Sequence, residues 1–279
     1  DGDDDGAAAN RWVQGSLRQF LQNSNAIGVA DAMRFVPAVA TNASGSGGAW
    51  WQIAVTGAAL PIISDAGTTV DGTAYCAFTN GTQGCTALTQ VRDPNPGTSG
   101  NPDFAGKSVG TGADGIEGTA DDPQLPNYDR PELEVNGNDL GVILRVGAAA
   151  ATIRRLALVN YDSVASGYAI LVSGGTGSLV TENFLGPRAD GIDPGAGLRL
   201  GYAVNITAGT ADITKCFIGY TEGGGIFSAN ATLVQENDIY RNGISRAIGD
   251  GVSIEDSTGQ AITVRQNRID RSAGYGIEA

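Results

Sequence analysis

Five short segments in the second half of the chain can be laid over one another, and this repeat limits the fold more than any other feature. They begin at Ala151, Ser178, Ala211, Thr232 and Ile262. One column is aliphatic in every copy: Ile153, Val180, Ile213, Val234 and Val264. A second column reads Leu156, Asn183, Cys216, Asn237 and Asn267, and a third reads Leu158, Leu185, Ile218, Ile239 and Ile269. Successive members of the second column lie 27, 33, 21 and 30 residues apart. Regular columns at irregular spacing mark a solenoid whose coils carry loops of different length. Neighbouring strands sit roughly 4.8 Å apart, so like side chains stack on like. Asn183, Cys216, Asn237 and Asn267 are then expected to form an internal ladder at a turn. An amide there can donate to the carbonyl of the next coil, and Asn tolerates the left-handed backbone of a tight corner. Cys216 in this column reads as a small buried side chain.

A second strand per coil is expected where Gly leads an alternating run, at Gly141, Gly167, Gly197, Gly225, Gly251 and Gly276. Glycine makes up 42 of the 279 residues without the every-third spacing of collagen, and β-branched runs between Gly, Asn and Asp read as all-β. Further strands are expected at 32–36, 50–55, 60–63, 68–70, 132–135 and 141–146. Of the adjacent Trp50 and Trp51, one should face inward and one outward, either onto a sugar ring or beneath a loop. Upstream, Ser16-Leu17-Arg18-Gln19 has capping-box spacing, and Leu17, Phe20 and Leu21 share a helical face. This amphipathic helix, with help from Trp12 and Val13, would cover the raw end of the solenoid. Residues 1–10 read as an acidic flexible leader, and 11–279 as a single domain interrupted by a long loop excursion at 76–131. The final Gly276-Ile277-Glu278-Ala279 resembles the opening of another coil, so the chain reads as a fragment of a longer protein.

Bulk properties exclude several functions. The net charge of −13 and the lack of a basic cluster argue against nucleic acid, which needs Lys and Arg patches. The chain has no His, which removes Ser-His-Asp and Cys-His catalysis and most zinc sites. No apolar run approaches the ~20 residues of a membrane span. Cys76 and Cys85 flank a polar segment. If the protein is exported they are expected to pair as a disulfide; otherwise they are two loop thiols.

These residues resemble the right-handed parallel β-helix superfamily. They are similar in particular to large exported bacterial surface proteins that open on a Ser-Leu-Arg-Gln helix. Met33-Arg34-Phe35, Leu60-Pro61-Ile62-Ile63, Val70-Asp71-Gly72-Thr73, Glu134-Val135-Asn136-Gly137 and Asn183-Phe184-Leu185-Gly186 carry the likeness beyond the helix. It spans about residue 11 to the end, except for the excursion, which is longer than the family leads one to expect. The resemblance implies an extracellular or cell-surface protein. It does not separate adhesins from polysaccharide-active enzymes.

Two acidic loops could hold Ca²⁺. Asp1-Gly2-Asp3-Asp4-Asp5-Gly6 is the front half of a calcium loop, but Trp12 stands where the closing carboxylate belongs. Asp114, Glu117, Asp121 and Asp122 form the better set of hard oxygen ligands, against the alternative of a solvated acidic loop. If the chain is a lyase or glycoside hydrolase, its parts are Asp190, Asp193, Arg199, Asp212 and Lys215, with Asp190 and Asp193 in an inter-coil loop. The favoured expectation is a non-enzymatic structural or adhesive module. Its partners would be polysaccharide, a cell-surface matrix, or copies of itself stacked end to end.

Overall fold

The computed structural model describes residues 15–76, 85–102, 108–116, 119–160, 167–230, 232–245, 249–255 and 261–279. The expected leader, the Asp1–Gly6 loop, Trp12, Val13 and Glu117 lie outside them. The described chain is β-rich, with most of its strands in three mainly parallel sheets, two more in a short antiparallel pair, and a single helix among the described residues.

The first sheet has eight strands, in the spatial order Ala43–Gly45, Gly48–Ala54, Leu133–Asn136, Leu156–Val159, Phe184–Leu185, Phe217–Gly219, Asp238–Tyr240 and Arg268–Asp270. Only its first pair is antiparallel. The second sheet runs from Val142–Val146 through Tyr168–Ser173, Tyr202–Ala208, Ile226–Ser228 and Val252–Ile254 to Ile277–Glu278. The third runs from Thr69–Asp71 through Thr152–Arg154, Ser178–Thr181, Ala211–Thr214 and Thr232–Gln235 to Ile262–Arg265. From Thr152 onward the chain visits third, first and second sheets in turn, so each pass adds one strand to each.

Register follows the sequence columns. Val70, Ile153, Val180, Ile213, Val234 and Val264 are successive partners in the third sheet. Val135, Leu158, Leu185, Ile218, Ile239 and Ile269 are partners in the first. Leu144, Ile170, Val204, Ile226, Val252 and Ile277 are partners in the second. Side chains from all three sheets join one apolar core, which removes them from water and supplies the main driving force for the fold. One register differs from the expectation. Gly197 heads no strand; Gly201 takes that place, because Tyr168 pairs with Tyr202.

The helix Leu17–Ile27 buries Leu17 and Leu21 in this core. Ser16 caps it, its Oγ accepting from Gln19 N at 3.1 Å. The reciprocal arm of the capping box is replaced, since the Gln19 amide donates to Asn23 Oδ1 at 2.8 Å. Gly28 in a left-handed conformation ends the helix. The expected strands at 32–36 and 60–63 are reduced to isolated bridges, Ala32 to Thr69, Phe35 to Ala74 and Ile63 to Val146.

The corner between the third and first sheets is the most regular part of the fold. Arg155, Glu182, Lys215, Glu236 and Gln266 occupy it in successive passes, all with φ between 53° and 55°. Left-handed backbone costs a non-Gly residue about 1 kcal/mol, so something must hold it there. In three passes the residue after the corner is an asparagine that holds the corner of the pass before it. Asn183 Oδ1 accepts from Leu156 N at 3.1 Å and its Nδ2 donates to Ile153 O at 2.8 Å. Asn237 repeats this with Cys216 N at 2.9 Å and Ile213 O at 2.8 Å. Asn267 repeats it again with Asn237 N at 2.9 Å and Val234 O at 2.7 Å. Each amide thus donates to a carbonyl of the preceding pass, not of the next one as the sequence led one to expect. Cys216 is buried in the same column, and burial pushes its thiol up to about 12.

Candidate functional site

The middle strands of the first sheet, from Leu133–Asn136 to Asp238–Tyr240, are buried on both faces. The sheet's outward column reads Gln52, Glu134, Ala157, Phe184, Phe217, Asp238 and Arg268. Ala157, Phe184 and Phe217 pack with Trp50, Leu125, Tyr128, Ala189, Tyr220 and Tyr240 in a second apolar cluster. Leu125 and Tyr128 belong to the excursion, which therefore lies across the outside of this sheet. Trp50 is the outward member of the tryptophan pair and is fully buried there, while Trp51 joins the main core.

Polar contacts fasten the cover. Asn95 Nδ2 donates to Pro131 O and Ala189 O, at 2.9 and 2.8 Å. Ser99 Oγ donates to Asp190 O at 3.0 Å and accepts from Arg130 Nε at 2.8 Å. The Tyr128 hydroxyl donates to Glu236 O. Thr98–Ser99 and Tyr128–Asp129 pair as a short antiparallel ribbon, so the excursion carries some structure of its own. At its base Cys76 and Cys85 are joined by a disulfide, with their Cα atoms 6.1 Å apart.

Where the edge of this cover meets the corner column, a cleft of about 370 Å³ remains. The excursion contributes Asp93, Asn95, Asp129 and Arg130, Glu132 follows directly on its end, and the corner contributes Arg155, Glu182 and Lys215. Glu132 is half-buried at its floor. Burial pushes its carboxyl up to about 7, with Asp93 and Asp129 adding to the rise and Arg155 opposing it. Arg155 is tied to Glu182 at 2.8 Å, and that hydrogen bond raises its own pKa further. Arg130 is committed to Ser99 Oγ and to Ser46 O at 2.7 Å. A carboxyl shifted by burial in a cleft shared with cations is the arrangement expected of a functional site.

Comparison with protein-family models, with curated proteins and with solved structures returned no match.

The five candidate catalytic residues do not converge. Asp190 is buried, its carboxylate accepting from Ser46 N at 3.3 Å and Ile192 N at 3.2 Å. Asp193 and Arg199 form a two-bond ion pair at 2.8 and 3.0 Å, extended to Glu222 at 3.2 Å. Burial works against ionisation of Asp193, but hydrogen bonds from Arg199 and Gly195 N outweigh it and hold the carboxyl below its ordinary value. Asp212 is exposed on a strand of the third sheet, and Lys215 stands at the corner. Among the described residues no hydrogen bond or ion pair links Asp190, Asp212 or Lys215 to the Asp193–Arg199 pair. Lys215 alone of the five lines the cleft.

In the other acidic loop, carboxylate oxygens of Asp114, Asp121 and Asp122 lie within 4.8 Å of one another, which is close enough for a hard cation. They already accept hydrogen bonds. Asp121 takes Ala113 N at 2.7 Å and the Thr119 hydroxyl at 2.8 Å; Asp122 takes Gly112 N at 2.8 Å and Thr119 N at 3.1 Å. The Thr119 hydroxyl is the main reason the Asp121 carboxyl is held below its ordinary value. A larger groove of about 910 Å³ lies between the helix and residues 33–36 and 53–56. Its walls are mostly apolar, and its two cations are spent on backbone carbonyls, Arg18 on Ala59 O at 2.7 Å and Arg34 on Leu88 O.

Sequence reasoning missed Glu132, Asp93 and Asp129. The signal available was the position of Glu132 at the point where the excursion rejoins a strand, against a corner column of alternating charge.

Proposed function

We propose that the chain winds as a right-handed parallel β-helix capped by its helix, and that it works as a rigid, exported structural or adhesive module. The observation that carries this reading is the covering of the first sheet's outer face by the excursion. A sheet buried on both faces offers no open groove for a polymer to lie in, whereas it makes a stiff body that displays loops. Three further features support it. Hydrophobic columns run in register through all three sheets. The asparagine column satisfies buried backbone groups from pass to pass. The disulfide suits an oxidising compartment outside the cytoplasm. The likeness to exported bacterial surface proteins points the same way. Partners would be a matrix polysaccharide, another surface component, or further copies of the chain stacked end to end.

The alternative, a polysaccharide lyase or hydrolase built on Asp190, Asp193 and Arg199, has less support because those groups are engaged with one another or with backbone. A panel of acidic and neutral polysaccharides, with and without Ca²⁺, tests the choice. The structural reading expects no turnover and a rod-like particle in small-angle scattering. Turnover that disappears in Asp190→Ala or Asp193→Ala would overturn it.

A further inference from the structure

We propose that the cleft between the excursion and the corner column binds a small zwitterion, a compound with an amino group at one end and a carboxylate at the other. This goes beyond the structural reading and does not depend on it.

The argument begins with which lining groups are free. Arg130, Arg155 and Glu182 already have partners within the protein. Glu132 reaches only its own backbone N–H, and no side-chain hydrogen bond engages Asp93, Asp129 or Lys215 among the described residues. A half-buried carboxyl met only by its own backbone N–H is costly to ionise, and proteins usually satisfy such a group or use it. Three of these groups are carboxyls lining one cleft, and Asp93 and Asp129 each disfavour ionisation of Glu132. Together they suit an ammonium, whose three N–H donors would replace that repulsion with charge-assisted hydrogen bonds.

The remaining free group is a cation on the same cleft. Arg155, Glu182 and Lys215 are successive corner positions, one strand apart. At about 4.8 Å per strand, Lys215 stands roughly 10 Å along the corner from Arg155, and its long side chain can reach back part of that way. The acidic end of the cleft and the distant ammonium thus match a ligand with opposite charges at its two ends. A cleft of about 370 Å³ admits a compound of amino-acid or amino-sugar size. Pure anions meet the carboxyls, and pure cations leave Lys215 without a partner.

Isothermal titration calorimetry with 6-aminohexanoate, hexylamine and hexanoate tests this on the whole chain. The zwitterion should bind roughly tenfold or more tightly than either half, the worth of one charge-assisted contact. Lys215→Met should lower 6-aminohexanoate to the affinity of hexylamine and leave hexylamine unchanged. Glu132→Gln should weaken both amines, and Asp129→Asn, on the exposed rim, should do the same should Glu132→Gln fail to fold. Binding should also weaken as pH falls through the Glu132 midpoint of about 7. No heat with any of the three compounds, hexanoate binding as well as the zwitterion, or indifference to Lys215→Met and to the acid substitutions would each overturn the proposal.

Discussion

Arg268 and Asp238 are neighbours in register on the outer face of the first sheet, and both side chains are buried, to 3% and 0% exposure. Arg268 Nε donates to Asp238 Oδ1 at 3.0 Å and a second guanidinium nitrogen meets Oδ2. The same Oδ2 accepts the backbone N–H of Asn101 in the excursion. One carboxylate therefore links two passes of the chain and the cover above them. Gly100 is needed for that approach, because a Cβ there would come within 2.9 Å of Asp238 Oδ2.

Removing one partner of such a pair leaves a buried charge uncompensated. Asp238→Ala is expected to cost about 3–5 kcal/mol, far more than loss of an exposed pair such as Arg155–Glu182, at about 0–1 kcal/mol. Urea unfolding of Asp238→Ala, Glu182→Ala and an Asp238→Leu/Arg268→Met double variant separates the cases. The double variant should recover much of the loss, since neither charge then remains. Equal effects from Asp238→Ala and Glu182→Ala would refute the account.

The corner amides give a graded expectation. Asn237 is fully buried and joins three passes through Cys216 N, Ile213 O and Asn267 Oδ1. Asn237→Ala strands Cys216 N and Ile213 O, each worth about 1–3 kcal/mol when left unpaired. Asn267 lies on the last pass and is partly open to water, so Asn267→Ala should cost clearly less. Denaturation midpoints measured side by side check the order, and a larger loss for Asn267→Ala contradicts it.

The columns were legible because the stacking that buries Val180 on Ile213 on Val234 requires the same residue class at each level. What was hidden has a physical reason in each case. Gly197 and Gly201 are equally good strand openers, and only the pairing of Tyr168 with Tyr202 decides between them. The outer face of the first sheet could not be read as buried, because its cover comes from a segment without periodicity. That segment holds its place through single long-range contacts such as Tyr128 to Glu236 and Asn95 to Ala189. The cleft depends on the same docking, so Glu132 carried no mark in the sequence beyond its place at a boundary. Asp193 and Arg199, candidate catalytic parts only if the chain is an enzyme, are engaged with one another, as carboxylate and guanidinium six residues apart readily are.

The Cys76–Cys85 bond closes a short loop, with nine residues of sequence separation. In the chain-entropy account a loop of this size stabilises by about 2–3 kcal/mol through the unfolded state. Thermal unfolding with and without reductant should show that difference, and the Cys76→Ser/Cys85→Ser variant should match the reduced protein. Cys216 serves as an internal control. Burial raises its pKa to about 12, so it should resist alkylation until the chain unfolds. Rapid labelling of Cys216 in the native protein contradicts its place in the core.

Glu132 makes stability depend on pH in a direction opposite to an ordinary ion-paired carboxylate. Its carboxyl rises from 4.5 to about 7 on folding, chiefly by burial, with Asp93 and Asp129 adding to it and Arg155 opposing it. Arg130, Glu182 and Lys215 also line the cleft. The folded state therefore binds the proton more tightly than the unfolded state. Its contribution is most favourable below 4.5, where both states are protonated, and is lost progressively as pH rises to about 7. Above that the charged carboxylate is a constant burden. Glu132→Gln mimics the protonated form, so it should stabilise the protein above neutrality and leave it almost unchanged in acid. Denaturation across this range, with the Glu132 carboxyl followed by carbon NMR, checks both parts. A midpoint near 4.5 in the folded protein, or a Gln variant that is less stable above neutrality, would mean that the cleft does not desolvate this side chain.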